Sequence, residues 1–215
     1  AGLPEQIEVL PVKLPGRMDR LREPAIGELA DLVDALADGL APILNELRYG
    51  FFGHSLGGLV AFELAREIRR RQQQEPLVLY ASASRAPHLP RATSRLHNLP
   101  DGQLVSSLDR KFGGIPTQIA DNHELMQLLL PAIRADMRCL ETYQYVDAPP
   151  LNCPIVALGG SQDHEVTAAD LNGWRQQTSS RFSLRMYPGD HFFVANSQLG
   201  FLDVIGKQLA EDIIV

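Results

Sequence analysis

Tyr49-Gly50-Phe51-Phe52-Gly53-His54-Ser55-Leu56-Gly57 places a G-x-S-x-G pattern between an apolar run and a helical one. Tyr49 to Phe52 has the composition of a short strand. From Leu56 to Arg71 the apolar positions Leu59, Phe62, Leu64, Ala65 and Ile68 recur at helical spacing. A serine held between a strand and a helix is the setting of a nucleophile elbow. Gly53 and Gly57 let the backbone turn tightly, and the serine is expected in a strained conformation at the C-terminal edge of a sheet. The helix N-terminus behind it offers its dipole and N–H groups to a developing oxyanion. The competing reading, a glycine-rich structural turn, does not need the flanking strand and helix that this stretch has.

Outward from this turn the chain alternates strand-like and helix-like runs, which predicts an α/β fold with a mostly parallel central sheet flanked by helices. Ile7 to Val12 reads as a strand, followed by the turn-rich Leu14-Pro15-Gly16-Arg17. A helix is predicted from Pro24 through Ile26, Leu29, Val33, Leu36, Leu40, Ile43 and Leu47, kinked or divided at Pro42. Leu77 to Ala81, Ile155 to Leu158 and Phe182 to Tyr187 are the remaining strands. A helix around Leu171 and Trp174 separates the last two strands, and a final helix runs from about Leu199 to Ile213.

Between Ala81 and Ile155 the character changes. Pro, His, Arg and Ser are frequent from Ser84 to Pro100. Two or three helical stretches follow, Asp101 to Phe112, Asn122 to Leu130 and Ala132 to Tyr145, with Pro131 between the last two. So long and structured an insertion is expected to be a helical cap, or lid, over one edge of the sheet. The expected organisation is a core of residues 1–86 and 150–215 with a cap insertion at 87–149. Leu125, Leu128 and Leu129 are read as cap core rather than pocket lining.

Composition narrows the function classes. The chain has 215 residues, 45% hydrophobic and 21% charged, which suits one large globular domain and not a disordered or fibrous chain. A net charge of −6 disfavours non-specific nucleic-acid binding, so no nucleic-acid partner is expected. No apolar run approaches the roughly 18 residues of a membrane span, so no membrane partner is expected either. Cys139 and Cys153 fit neither a zinc motif nor a disulfide framework, and a reducing, cytoplasmic setting is the default expectation. His54, His88, His97 and His123 show no metal-ligand spacing. Neither a G-x-G-x-x-G nor a Walker sequence occurs, so no metal and no cofactor of its own is expected.

A serine nucleophile needs a base, and the base needs an orienting acid. In a fold of this kind the chain order is serine, acid, histidine, each on a loop after a strand. His164 and His191 lie far enough downstream, and His191 is chosen because it follows the strand Phe182 to Tyr187 directly. Its alternative reading is a surface loop histidine. Asp163 is the expected acid, just past the strand Ile155 to Leu158 on the same edge as Ser55. Asp147 precedes that strand, Asp170 falls in the next helix, and Asp190 is bonded next to His191 itself. Arg66, Arg69, Arg70 and Arg71 close the helix after Ser55 and read as dipole-favouring surface charges. Arg85, Arg91 and Arg95 follow the third strand on the catalytic edge, where an acidic partner could approach, although loop arginines are usually only solvated.

Taken together the motifs resemble one family. Leu14-Pro15-Gly16-Arg17 with Glu23-Pro24, Phe51 to Gly58, and Ala61-Phe62-Glu63-Leu64-Ala65-Arg66 carry the first half of the resemblance. Leu99-Pro100-Asp101, Leu130 to Asp136, Cys153-Pro154-Ile155, Gly159-Gly160 with Asp163, and Pro188 to Phe193 carry the second. The chain looks like an external, type II thioesterase of the α/β-hydrolase fold, the kind that accompanies nonribosomal peptide and polyketide synthases. The resemblance implies a catalytic triad of Ser55, Asp163 and His191, with the Leu56 backbone N–H in the oxyanion hole. It implies hydrolysis of stalled or misprimed acyl groups from the phosphopantetheine arm of carrier proteins, by a monomer. A fatty-acyl chain-terminating thioesterase or a small-molecule carboxylesterase would use the same triad, and a hydrolase-fold docking module is the non-enzyme alternative.

Members of the family begin with a strand and a Tyr-Ala-Gly-Gly-like loop that supplies a second oxyanion N–H. No such segment precedes Leu14 here. The chain is therefore expected to be roughly 30–40 residues short of the family's length, with Ala1 not the biological start.

Overall fold

The computed structural model describes residue 5, residues 7–91, 95–112 and 122–196, and residue 206. Four strands, β1 (Phe51–His54), β2 (Leu79–Ser82), β3 (Ile155–Gly160) and β4 (Phe182–Tyr187), form a parallel sheet in that order. Phe51 pairs with Leu79, Leu79 with Ile155, and Ile155 with Phe182, so the strands start level and their C-terminal ends share one edge. The predicted α/β-hydrolase class agrees with this sheet and its flanking helices. The final helix predicted over 199–213 lies outside the described residues, apart from residue 206.

Strand alternation divides the core into two faces. On one face Leu79, Ala81, Ile155 and Ala157 pack with Phe62 and Ala65 of α2 (Leu56–Arg70) and with Trp174. On the other, Val78, Tyr80, Val156 and Leu158 pack with Phe193. A third cluster joins α1 (Leu29–Leu44) to α2 through Leu32, Val33, Leu36, Leu59, Leu64 and Ile68. The amphipathic spacing read from the sequence produces these contacts, because each helix presents one apolar stripe to the layer beneath it.

Between β2 and β3 run α3 (Asp101–Phe112) and α4 (His123–Thr142), preceded by a 3₁₀ turn at Leu96–Asn98. They have a small core of their own: Leu104, Leu108, Met126 and Leu130, flanked by Leu96, Leu99, Ile133 and Met137. Of the three leucines assigned to this core from sequence, Leu128 is 53% exposed, and Leu125 and Leu129 are only partly buried. Met126 and Leu130 take their place, because the stripe facing α3 lies one position off the leucine run.

Three further expectations change. Ile7 to Val12 forms no strand, and Val9, Leu10 and Val12 are 62%, 51% and 51% exposed. A β-branched run gains little without a neighbouring edge to pair with. α1 begins at Leu29, not Pro24, because the segment before it is held extended against α4: Cys139 Sγ donates to the Ile26 carbonyl at 3.6 Å, and Arg138 pairs with Glu28.

The separation of two helices expected at Pro131 is absent, and of the kink or division expected at Pro42 the division does not occur. α1 runs through Pro42, and α4 runs through Pro131 as a single helix. A proline inside a helix removes one N–H, which leaves the carbonyl four residues earlier without its helical donor. Pro42 and Asp38 are both exposed, as are Pro131 and Gln127. Water can satisfy each freed carbonyl, so neither helix divides.

Candidate active site

The site is assembled by the ends of β1, β3 and β4. Ser55 sits between β1 and α2 with φ 55° and ψ −118°, a backbone conformation an L-residue rarely adopts. Its N–H donates to the Ser82 carbonyl at 2.8 Å, which continues the β1–β2 pairing through the strained residue. The crowded glycines of the turn are Gly53 and Gly58. A Cβ on Gly53 would lie 2.0 Å from the Gly57 carbonyl oxygen, and one on Gly58 would lie 2.6 Å from the Ser84 Cβ. At Gly57, the second glycine of the motif, a Cβ would meet nothing within 4 Å outside its own helix turn. The sequence reading assigned the tight turn to Gly53 and Gly57; the close approach falls on Gly53 and Gly58.

Asp163 lies just past β3 and His191 just past β4, and the two loops are locked together. Ser161 N–H donates to Tyr187 O at 2.7 Å and Gln162 N–H to Gly189 O at 2.8 Å. Gly160 makes this possible, since a Cβ there would fall 2.2 Å from the Asp190 carbonyl oxygen. The structure brings the three predicted residues into line. Asp163 Oδ2 is 2.8 Å from His191 Nδ1, and His191 Nε2 is 3.1 Å from Ser55 Oγ. His191 is only 4% exposed and Asp163 8%.

Electrostatics follow from this packing. Burial pushes the Asp163 carboxyl pKa up, but the hydrogen bond from His191 and those from the Glu165 and Val166 N–H groups outweigh it and hold it below the usual carboxylate range. An ionised Asp163 accepting from Nδ1–H leaves Nε2 as the acceptor facing the serine hydroxyl. His54, beside the serine, is a different histidine. Burial and the nearby His191 bring its pKa down to about 4, so its ring is neutral at neutral pH. Its Nδ1 bonds Ser82 Oγ at 3.0 Å, and its ring lies edge-on to His191 with centroids 5.3 Å apart.

The helical region between β2 and β3 reaches the site through the end of α3. Phe112 stands 5.0 Å from the His191 ring by centroids, and Lys111 pairs with Glu165, next in line after the Asp163 loop, at 3.2 Å. Neither residue was singled out from sequence, where Phe112 reads only as a helix end. A cleft of ≈ 120 Å³ opens over Ser55 and His191, lined also by Leu96, Met137, Leu140 and Val166. Leu56, the predicted oxyanion donor, is the first residue of α2 and is buried directly behind the serine.

The other candidates lie elsewhere. His164 and Asp190 are exposed, and the Asp190 carboxylate accepts from the Phe192 N–H. Asp170 closes a capping box with Thr167 at α5 (Ala168–Asn172) and pairs with Arg85 at 3.1 Å. Arg66 and Arg69 are structural, bonding the carbonyls of Val146, Pro149 and Pro150 and so tying the chain after α4 to α2. Arg85 and Arg91 do not form the outward docking patch considered from sequence: both line the cleft, and of that trio Arg95 alone is exposed. Among the described residues no cluster of His, Cys, Asp or Glu could hold a metal ion, and no helix is long and apolar enough to cross a membrane.

Residues 1–209 match the family model of the thioesterase domain. The chain belongs to the thioesterase family. Gramicidin S biosynthesis protein GrsT of Aneurinibacillus migulanus is 41% identical over 206 residues, spanning 96% of this chain and 80% of that protein. The solved structure of the RedJ thioesterase, from the prodiginine biosynthetic pathway in Streptomyces coelicolor, is 35% identical with a TM-score of 0.85, covering 98% of this chain and 81% of that one. The type II thioesterase BorB, from the borrelidin biosynthetic cluster, is 32% identical with a TM-score of 0.79, over 94% of this chain and 78% of that one. This thioesterase is therefore a hydrolase of thioesters by family, with a serine, histidine and aspartate in hydrogen-bonding line at its sheet edge.

Proposed function

We propose that this thioesterase clears acyl groups from the phosphopantetheine arm of carrier proteins serving a nonribosomal peptide or polyketide synthase. The observation that carries the reading is the Ser55–His191–Asp163 line, at 3.1 and 2.8 Å, opening into the cleft. Similarity to YbtT, a type II thioesterase from the yersiniabactin NRPS/PKS biosynthetic pathway (30% identical, TM-score 0.79), supports the substrate class.

Ser55 Oγ attacks the thioester carbonyl while His191 Nε2 takes its proton, and Asp163 holds the imidazole in the required tautomer and stabilises the cation. The Leu56 N–H donates to the oxyanion of the tetrahedral intermediate. As the C–S bond breaks, His191 returns the proton to the leaving thiolate, and an acyl-serine remains. Water, deprotonated by His191, then releases the carboxylic acid and restores Ser55. In this reading residues 87–149 act as a cap, whose α3 end, at Phe112, shields the imidazole from bulk water.

The test is release of acid from an acetyl-loaded carrier protein. Ser55→Ala is expected to lower kcat by on the order of 10⁴–10⁶. Equal release by the wild type and the variant removes the serine mechanism, and no release by either removes the substrate class.

A further inference from the structure

Most charged side chains facing the cleft are matched. Arg85 pairs with Asp170 at 3.1 Å and Lys111 with Glu165 at 3.2 Å. The Glu141 carboxylate is turned toward the 3₁₀ turn, where it accepts from the N–H groups of Leu96 and His97 and meets His97 Nδ1 at 2.5 Å. Arg91 is the exception. Among the described residues its guanidinium meets no carboxylate: it lies 5.6 Å over the Tyr143 ring, and Nη2 makes only a long contact, 3.4 Å, to the Arg85 carbonyl. Its Nε is buried without a hydrogen-bond partner.

An arginine stays charged at neutral pH wherever it sits, and a partly buried guanidinium with a buried, unpartnered Nε gains from an anion. Burial holds the Arg91 pKa below the ordinary arginine range, and the neighbouring Arg85 adds to the lowering. Only the Tyr143 phenol acts the other way. The planar fork of donors is suited to a carboxylate. The cleft it lines is small, ≈ 120 Å³, and Ser55 lines it too, so an anion on Arg91 and a thioester on Ser55 would share one cavity. A carboxylate at the far end of a short acyl group meets that requirement. The phosphodiester of the carrier arm carries the same kind of charge, but the whole pantetheine unit separates it from the sulfur.

We propose that Arg91 reads the charge of the acyl group, so that short acyl chains ending in a carboxylate are released fastest, neutral ones next, and ammonium-bearing aminoacyl groups slowest. This rests on the carrier-thioesterase reading above. The chemistry is unchanged: one water is consumed per thioester, and a dicarboxylic acid and a free thiol leave.

Full-length protein is assayed against one carrier protein loaded with malonyl, acetyl or alanyl groups, and kcat/KM is compared. The wild type is expected to rank malonyl above acetyl above alanyl. Arg91→Met keeps the unbranched stem and removes the charge, and is expected to lower the malonyl value roughly 10–100-fold, the range of a lost charged hydrogen bond, while the acetyl value changes little. Arg91→Lys, which keeps the charge without the fork, is expected to fall between. A wild type with no malonyl preference overturns the proposal. So does an equal loss on malonyl and acetyl substrates, which assigns Arg91 to the shared phosphodiester or to folding. Binding gives an independent reading. Malonate is expected to raise the melting temperature of the wild type more than equimolar acetamide, which carries no charge, and to lose that advantage in Arg91→Met. If the carrier reading fails and no acyl group is released, this comparison alone decides: equal shifts for malonate and acetamide in the wild type reject the role of Arg91.

Discussion

The sheet edge and the helices above it are built on different principles. At the edge, Ser55, Asp163 and His191 sit on turns whose backbones touch, with glycines at the contacts and hydrogen bonds fixing each loop to the next. In the α3–α4 region the contacts are side chains packed on side chains, around the four buried residues Leu104, Leu108, Met126 and Leu130. Backbone-to-backbone contact tolerates almost no displacement, whereas a small apolar cluster can loosen and re-form. Precision is thus concentrated at the triad, while the α3–α4 region rests on the looser kind of contact.

The sharpest way to break this contrast is through Asp163, whose carboxylate is fixed by three donors. Asp163→Asn keeps the shape but favours the wrong imidazole tautomer, and is expected to lower kcat by about 10⁴ with little change in fold. The pH dependence has a defined sign. Because the folded carboxyl pKa is depressed, its contribution to stability is present above the ordinary carboxylate range and is lost as pH falls below that range toward the folded pKa. Urea titrations at several pH values are expected to show that loss in the wild type and less of it in Asp163→Asn. A variant with wild-type kcat would detach Asp163 from the mechanism.

Leu104, fully buried in the small cluster, tests the other side. Leu104→Ala is expected to cost roughly 2–4 kcal/mol locally, in the range of buried leucine truncations. Hydrogen exchange is the suitable measurement: amides of α3 and α4 should exchange faster while those of β2 and β3 keep their protection. Uniform acceleration across the sheet would mean that the helical region and the sheet open as one unit.

Gly160→Ala returns to the rigid edge with a smaller expected effect. Its Cβ would fall 2.2 Å from the Asp190 carbonyl oxygen, so the loop carrying His191 has to move. A displacement of that kind is expected to cost about 1–3 kcal/mol and to lower kcat by roughly 10–100-fold, with KM less affected. Wild-type turnover would show that the two loops are not rigidly coupled.

The same contrast explains what could be read from the sequence. Ser55, Asp163 and His191 were legible because each follows a strand, and parallel strands that start level bring their following loops to one edge. The continuation of α4 through Pro131 was not, because it depends on which side of the helix faces water. Phe112 reaches the site only through the placement of the helical region, and spacing along the chain carries no trace of that, whereas Arg91 was placed on the catalytic edge by its position after β2 but not as a lining of the cleft. Gly58 was hidden for a related reason: its need arises from Ser84, on a different strand end.

Gly57 offers the finest test, since the motif and the packing disagree about it. The G-x-S-x-G pattern places a glycine there as though the turn required one, yet a Cβ would meet nothing within 4 Å outside its own helix turn, and no positive φ is found at this residue. On packing alone, Gly57→Ala removes backbone freedom from the unfolded chain and improves helix propensity in the first turn of α2. The expected outcome is a gain of up to about 1 kcal/mol in urea unfolding. The space a methyl would take lies beside the serine, so any penalty is expected in KM for acyl-loaded carrier and not in stability. A loss of stability as large as that of Gly160→Ala would mean that Gly57 belongs to the rigid edge after all, and that the contact it makes is with the chain and not with the substrate.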